Sequence, residues 1–279
     1  MKNLKTLVVL LLAVCLVFGL ASCTPKNEEN KVIRLSTTSS VNESGLLNYL
    51  KTEFEKDTGY ELQISSAGSG AAIEKGRTGD ADCLLVHSPA AENTFVGADY
   101  GEQRVIFMYN FYVIVGPADD PAGVKNCATA AEAFQRIAEN PNAKFVSRGD
   151  DSGTHNAEKA LWTLAEITPA GDWYISAGST MGPCLTMANQ QGAYILTDKA
   201  TYLAHEARGS LDILKEESAE MINIYSMIAI SPLRHSNTNA AGSAAFIAWM
   251  RTEKAKNMIN AYGKDQYGEQ LFFYGQYTP

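Results

Sequence analysis

Arg148, Ser152 and Thr154 lie close together in the stretch Val146-Ser147-Arg148-Gly149-Asp150-Asp151-Ser152-Gly153-Thr154-His155. A guanidinium carries a fixed charge and a planar fork of donors, and hydroxyls add neutral donors. Gly153 has no side chain to hold a ligand away from its backbone. A short apolar run, 143–146, enters the stretch, and apolar spacing predicts an amphipathic helix over 156–167. Such an arrangement cradles an anion at a helix N-terminus, where unpaired N–H groups and the helix dipole favour negative charge. An ordinary capped helix, with Asp151 or Ser152 as N-cap and Arg148 on the surface, would use the same residues. The rest of the chain must decide between the two.

Three further loops share the plan of 147–154: residues 37–40, 68–70 and 178–182. Each follows an expected strand, is rich in Ser, Thr or Gly, and opens an expected helix. Four such loops describe a cleft lined with helix N-termini, each contributing about 0.3–1 kcal/mol, or about 2 when partly buried. The lining is rich in donors and poor in carboxylates apart from Asp150 and Asp151. It suits a small, fully ionised oxyanion. The two aspartates read as groups that hold Arg148 or cap the helix.

The elements that must position these loops alternate strand and helix. Val32-Ile33-Arg34-Leu35 reads as a strand, and Leu46, Leu47, Leu50 and Phe54 recur at helical spacing up to a stop near Gly59. Residues 60–64 form a second strand, and 83–86 a third, all apolar and therefore buried and parallel. This is an α/β pattern, in which ligands sit beyond the carboxyl ends of parallel strands. Two long apolar runs, 105–115 and 221–230, read as crossings between two lobes. The expected body therefore has lobe 1 at 32–111 plus 226–279 and lobe 2 at 112–225, each a mostly parallel sheet flanked by helices.

Ahead of this body, Lys2 and Lys5 precede an apolar run over 7–20 that is too short for a comfortable membrane span and ends in Leu20-Ala21-Ser22-Cys23. This reads as a signal peptide over 1–22 with a bacterial lipobox, placing a lipid on Cys23. Residues 23–31 form a polar tether. The formal charge is −8 and there is no basic stripe, which excludes nucleic acid as a partner. Cys83, Cys127 and Cys184 are too widely spaced for a zinc motif, and no metal site or cofactor is expected. Asp151-Ser152-Gly153 lacks a recognisable base motif among the four histidines, G-x-S-x-G and G-K-[ST] are absent, and G-x-G-x-x-G fails at Ile73. An enzyme is not expected. His155 reads as a helix-start residue, while His87 is either structural or a neighbour of the site.

Residues 147–155, Thr37-Thr38-Ser39-Ser40 with Asn42-Glu43-Ser44-Gly45-Leu46-Leu47, Asp82 through His87, and Met187-Ala188-Asn189 with residues 192–198 together resemble the tungstate-binding proteins of bacterial ABC importers. The resemblance covers nearly the whole chain after Cys23. It implies a two-lobe periplasmic-binding-protein fold of the second type with two hinge crossovers, which closes around one oxyanion. It also implies a monomer, held outside the cytoplasm by its N-terminal lipid, that passes the ion to a permease and an ATPase. On this reading Arg148 supplies charge, while Thr38, Ser39, Ser69, Ser152 and Thr154 supply hydroxyl or backbone donors. Gly70, Gly153, Met181 and Gly182 supply backbone N–H groups. Phosphate-binding relatives share R-x-D-x-S-G-T, met here by Arg148, Asp150, Ser152, Gly153 and Thr154, but carry a proton-accepting aspartate where this chain has His87. The resemblance therefore points to a proton-free ion, tungstate or molybdate. Alternatives are a molybdate or phosphate carrier, or an anion sensor or enzyme domain on the same fold.

Overall fold

A computed structural model describes residues 30–216 and 218–278. The expected signal peptide, Cys23 and most of the tether lie outside the described residues. The body opens with β1 (Val32–Thr38), α1 (Ser39–Glu43), α2 (Leu46–Thr58), β2 (Glu61–Ala67), α3 (Ser69–Thr78), β3 (Cys83–Val86) and α4 (Pro89–Gly97). It continues with β4 (Val105–Pro117), α5 (Ala130–Glu139), β5 (Phe145–Ser147), α6 (Gly153–Leu164), β6 (Tyr174–Ser176), α7 (Met181–Gln191) and β7 (Ile195–Asp198). Then come α8 (Lys199–Ala204), β8 (Leu211–Lys215), β9 (Ile222–Ala229), α9 (Ala240–Met250), α10 (Glu253–Ala261), α11 (Lys264–Tyr267) and β10 (Phe273–Tyr274).

The α/β class follows from the alternation, and the sheets are mixed. β1 pairs in parallel with β2 and β3, and β5 in parallel with β6. Every pairing of β4 and β9 is antiparallel. These are the two long apolar runs of the sequence, and they run in opposite directions side by side. β4 changes neighbours along its length. From Val105 to Phe111 it lies against β9, with Asn110 opposite Asn223. From Tyr112 to Pro117 it lies against β7 and β8.

The core changes with it. Ile33, Leu35, Phe54, Met227 and Phe246 belong to one apolar cluster, extended by Trp249 edge-on to Phe54. Ile114, Phe134, Phe145, Trp162 and Tyr194 belong to another, in which the Phe134 and Trp162 rings meet at 4.3 Å. Burial of each such side chain contributes roughly 1.5–3 kcal/mol. Cys83, Cys127 and Cys184 are free and buried. Among the described residues no helix is long and apolar enough to cross a membrane.

One boundary shift matters. The helix expected over 156–167 starts three residues earlier, because Ser152 caps it: Ser152 Oγ accepts the His155 amide at 3.3 Å. Gly153, Thr154 and His155 therefore form the first turn of α6.

Candidate functional site

Each of the four donor loops follows a strand and opens a helix: β1 into α1, β2 into α3, β5 into α6, β6 into α7. Arg148 lies just beyond β5 and is almost fully buried, although its charge would favour water. Its Nη2 pairs with Asp150 Oδ2 at 2.5 Å. Asp150 also accepts the Ser152 amide at 3.2 Å, so this aspartate fixes both the guanidinium and the start of α6. Asp151 turns outward instead, with left-handed backbone, and pairs with Lys159 at 2.8 Å.

The loop is braced from behind. Arg148 accepts the Ser179 amide at 3.1 Å, which ties the strand end after β5 to the loop that opens α7. Gly149 (φ +60°) allows this close approach, since a Cβ there would come within 2.1 Å of Ser176 Oγ. Glu158, buried on α6, accepts from Trp162 Nε1 at 3.0 Å and Tyr174 OH at 2.7 Å. Burial raises its pKa, and those hydrogen bonds work against the rise.

Ser69, the first residue of α3, reaches the other helix directly: its Oγ accepts the Gly153 amide at 2.7 Å. Gly153 was expected to let backbone approach a ligand. Its lack of a side chain also lets α6 approach His87, because a Cβ there would sit 2.7 Å from His87 Cε1. Thr38 is the N-cap of α1, but its hydroxyl makes no cap bond and lies 3.0 Å from His87 Nε2. Through these contacts Thr38, Ser69, Arg148, Ser152, Gly153 and Thr154 come together. Ser39 is buried beside Thr38, and Gly70 is exposed in the first turn of α3. Met181 buries its side chain in an apolar cluster, and Gly182 packs against His205.

Two donors stand out. Arg148 Nε and Thr154 Oγ1 are buried with no hydrogen-bond partner among the described residues. Unpaired buried donors cost about 1–3 kcal/mol each, more for a charged group, and a bound anion is one way to satisfy them. An oxyanion fits this chemistry: a cation, a hydroxyl and helix-start amides, with the nearest carboxylate already committed to the cation. No group of three or more His, Cys, Asp or Glu side chains suited to a metal ion occurs among the described residues.

Several polar groups escaped the sequence reading. Tyr112, Asn223, Tyr225 and Asn110 are buried and joined by hydrogen bonds to one another and to His87, which the sequence reading had left as structural or a neighbour of the site, and to Asp198. The available signal was a repeated triplet, Asn110-Phe111-Tyr112 and Asn223-Ile224-Tyr225, that places two polar side chains on one face of each apolar strand. Burial pushes the His87 pKa down to about 4, the Arg148 charge acts in the same direction, and the Asn223 amide opposes it. Asp198 is shifted upward by burial, against its bonds from Thr201 and the attraction of Arg148.

This α/β body, with helix starts converging on a buried arginine, is a member of the periplasmic-binding-protein class, and residues 25–254 match the sequence model of the PBP superfamily domain. The chain is 44% identical to the tungstate-binding protein TupA of Peptoclostridium acidaminophilum over 98% of each chain. Among solved structures it resembles the tungstate ABC transporter protein of Geobacter sulfurreducens, with 38% identity, a TM-score of 0.78, and coverage of 83% of this chain and 98% of that one. It also resembles TupA of Desulfovibrio alaskensis G20, with 39% identity, a TM-score of 0.75, and coverage of 88% and 99%. The chain belongs to the TupA family of the PBP superfamily.

Proposed function

We propose that this protein is the extracytoplasmic solute-binding component of an ABC importer and captures tungstate, without catalysing a reaction. The observation that carries the reading is Arg148: a buried guanidinium held by Asp150, with Nε unpaired, as is the buried hydroxyl of Thr154 six residues on. The names of the relatives, all at 38% identity or more, support tungstate as the ion. The ion would be held by Arg148 and by hydroxyl or amide donors of Thr38, Ser39, Ser69, Gly70, Ser152, Gly153, Thr154, Met181 and Gly182. Residues 32–111 with 226–279 would act as one lobe and 112–225 as the other, with β4 and β9 as the crossings. The change of partners along β4 supports that division.

The partners on this reading are a permease and its ATPase. The protein acts as a monomer tethered by a lipid on Cys23, and no cofactor takes part. Calorimetric titration of the purified protein with tungstate, molybdate, sulfate and phosphate tests the assignment. Tungstate should bind with the lowest Kd, with molybdate next. Phosphate binding tightest would contradict it. A Cys23→Ala variant should leave the membrane fraction, and its retention there would contradict the lipid anchor.

A further inference from the structure

α1 is too short to hold itself in place. It has five residues, its N-cap Thr38 makes no side-chain cap bond, and its first turn carries no acidic residue. A single turn of helix is unstable alone, so the position of α1 is set by what packs on it. Val41 is buried in the cluster that contains Leu35 and Phe54, and beyond the helix end Tyr262 OH donates to the Ser44 carbonyl at 2.6 Å. The Ser40 hydroxyl lies 3.1 Å from His87 Nε2. The backbone at Ser40 is gripped from a distant part of the chain: Thr201 Oγ1, 161 residues on, donates to the Ser40 carbonyl at 3.2 Å.

Thr201 belongs to α8, which rests on two cores at once. Ala200 is buried in the cluster of Val41, whereas Tyr202 is buried in the cluster of Val146 and Met181. Residues two apart in a helix are turned by about 200°, so these two face opposite ways. Leu203 packs against both clusters. Val146 leads into Arg148 and Met181 opens α7, so α8 joins the core of the α1 loop to the core of the loops that follow β5 and β6. Its start is fixed as well. Asp198 Oδ1 accepts the Thr201 amide at 3.0 Å. Lys199 Nζ bridges Glu216, just after β8, and Glu269, shortly before β10, at 2.6 and 2.5 Å.

We propose that α8 is a strap that keeps the two walls of the anion cradle in register, with Thr201 a positioning residue that acts through the Ser40 carbonyl to aim the α1 donors, Thr38 and Ser39, at the ion held by Arg148 and Thr154. A hydrogen bond weakens steeply as its angle falls towards about 120°, so a tilt of this one-turn helix costs affinity with every donor still present. The inference rests on the proposed function, because it takes α1 and α6 as opposite walls around one ion.

Thr201→Val removes the hydroxyl and keeps the side-chain shape. Hydrogen exchange of the ion-free variant should be faster at the α1 amides, above all at Ser44, whose amide donates to the Ser40 carbonyl at 3.0 Å, and unchanged in α6. Native protection in α1 would overturn the proposal. By calorimetry, tungstate affinity should fall roughly 3- to 10-fold, about the worth of one neutral hydrogen bond, and Thr201→Ser should restore it. Because the strap works through α1, the loss should shrink below about 2-fold in a Thr38→Val background and stay whole in a Thr154→Val background. Losses of equal size in both backgrounds are what a general loosening of the fold would give, and they would overturn the proposal. A native protein that binds no tungstate would instead sink the functional reading, and the exchange comparison would still decide whether α8 holds α1.

Discussion

α6 and α7 begin alike and end up with different work. Both follow a short strand, and both N-caps are hydroxyl residues with extended backbone, Ser152 at φ −66°, ψ 169° and Thr180 at φ −71°, ψ 169°. Ser152 closes its helix with its own side chain, and Thr180 does not. The Gly153 amide is also committed, to Ser69, and the Ser152 amide to Asp150. The start of α6 is thus braced by its neighbours, and on the proposed reading a bound ion would share these amides with Asp150 and Ser69. The start of α7 keeps its first-turn amides clear of a capping side chain, as does α3 behind Gly68. A charged arm on a capped helix and first-turn amides without a capping side chain are the complementary parts that the proposed anion cradle needs.

Perturbations should separate these roles. Arg148→Ala is expected to have the largest effect, a loss of about 100-fold or more in oxyanion affinity by calorimetry, with the circular dichroism spectrum unchanged. Arg148→Lys should recover little of it, because a point charge lacks the planar fork. Unchanged affinity would move the site away from α6.

Acidification comes next. The folded protein holds His87 at about 4 against an ordinary 6.5, so between those values the unfolded chain binds the extra proton. The contribution of His87 is fully present above pH 6.5 and is lost as pH falls towards 4. Burial and Lys159 lower His155 as well, in the same sense. Chemical denaturation across this range should show stability falling with pH, with a shallower slope for His87→Gln. Identical slopes would mean that His87 already titrates normally in the fold. The caps give the smallest effects. Ser152→Ala should lower stability by about 1 kcal/mol, whereas Thr180→Ala should stay within about 0.5 kcal/mol. Equal changes in Tm would erase the distinction between the two helices.

Much of this was legible in the chain itself. Strand-then-hydroxyl-then-helix patterns marked all four loops, and the apolar runs marked β4 and β9, because periodicity and turn chemistry are local. The start of α6 was placed late because the cap choice between Asp151 and Ser152 depends on which side chain turns inward, and Lys159 draws Asp151 out. The sheets read as mostly parallel because strand direction is not written in an apolar run. The chain from His87 to Asp198 was invisible for the same reason. Its two Asn-x-Tyr triplets acquire meaning only when β4 and β9 lie antiparallel with Asn110 opposite Asn223. Register is a property of pairing and cannot be seen in either strand alone.

The most direct test of the anion cradle is the position of the metal. Crystals of the protein grown with tungstate, measured for anomalous scattering from tungsten, should show one strong peak whose oxygens lie within hydrogen-bonding distance of Arg148 Nε and Thr154 Oγ1. A peak elsewhere, such as the cavity lined by Glu102, Val105 and Arg251, would contradict the account.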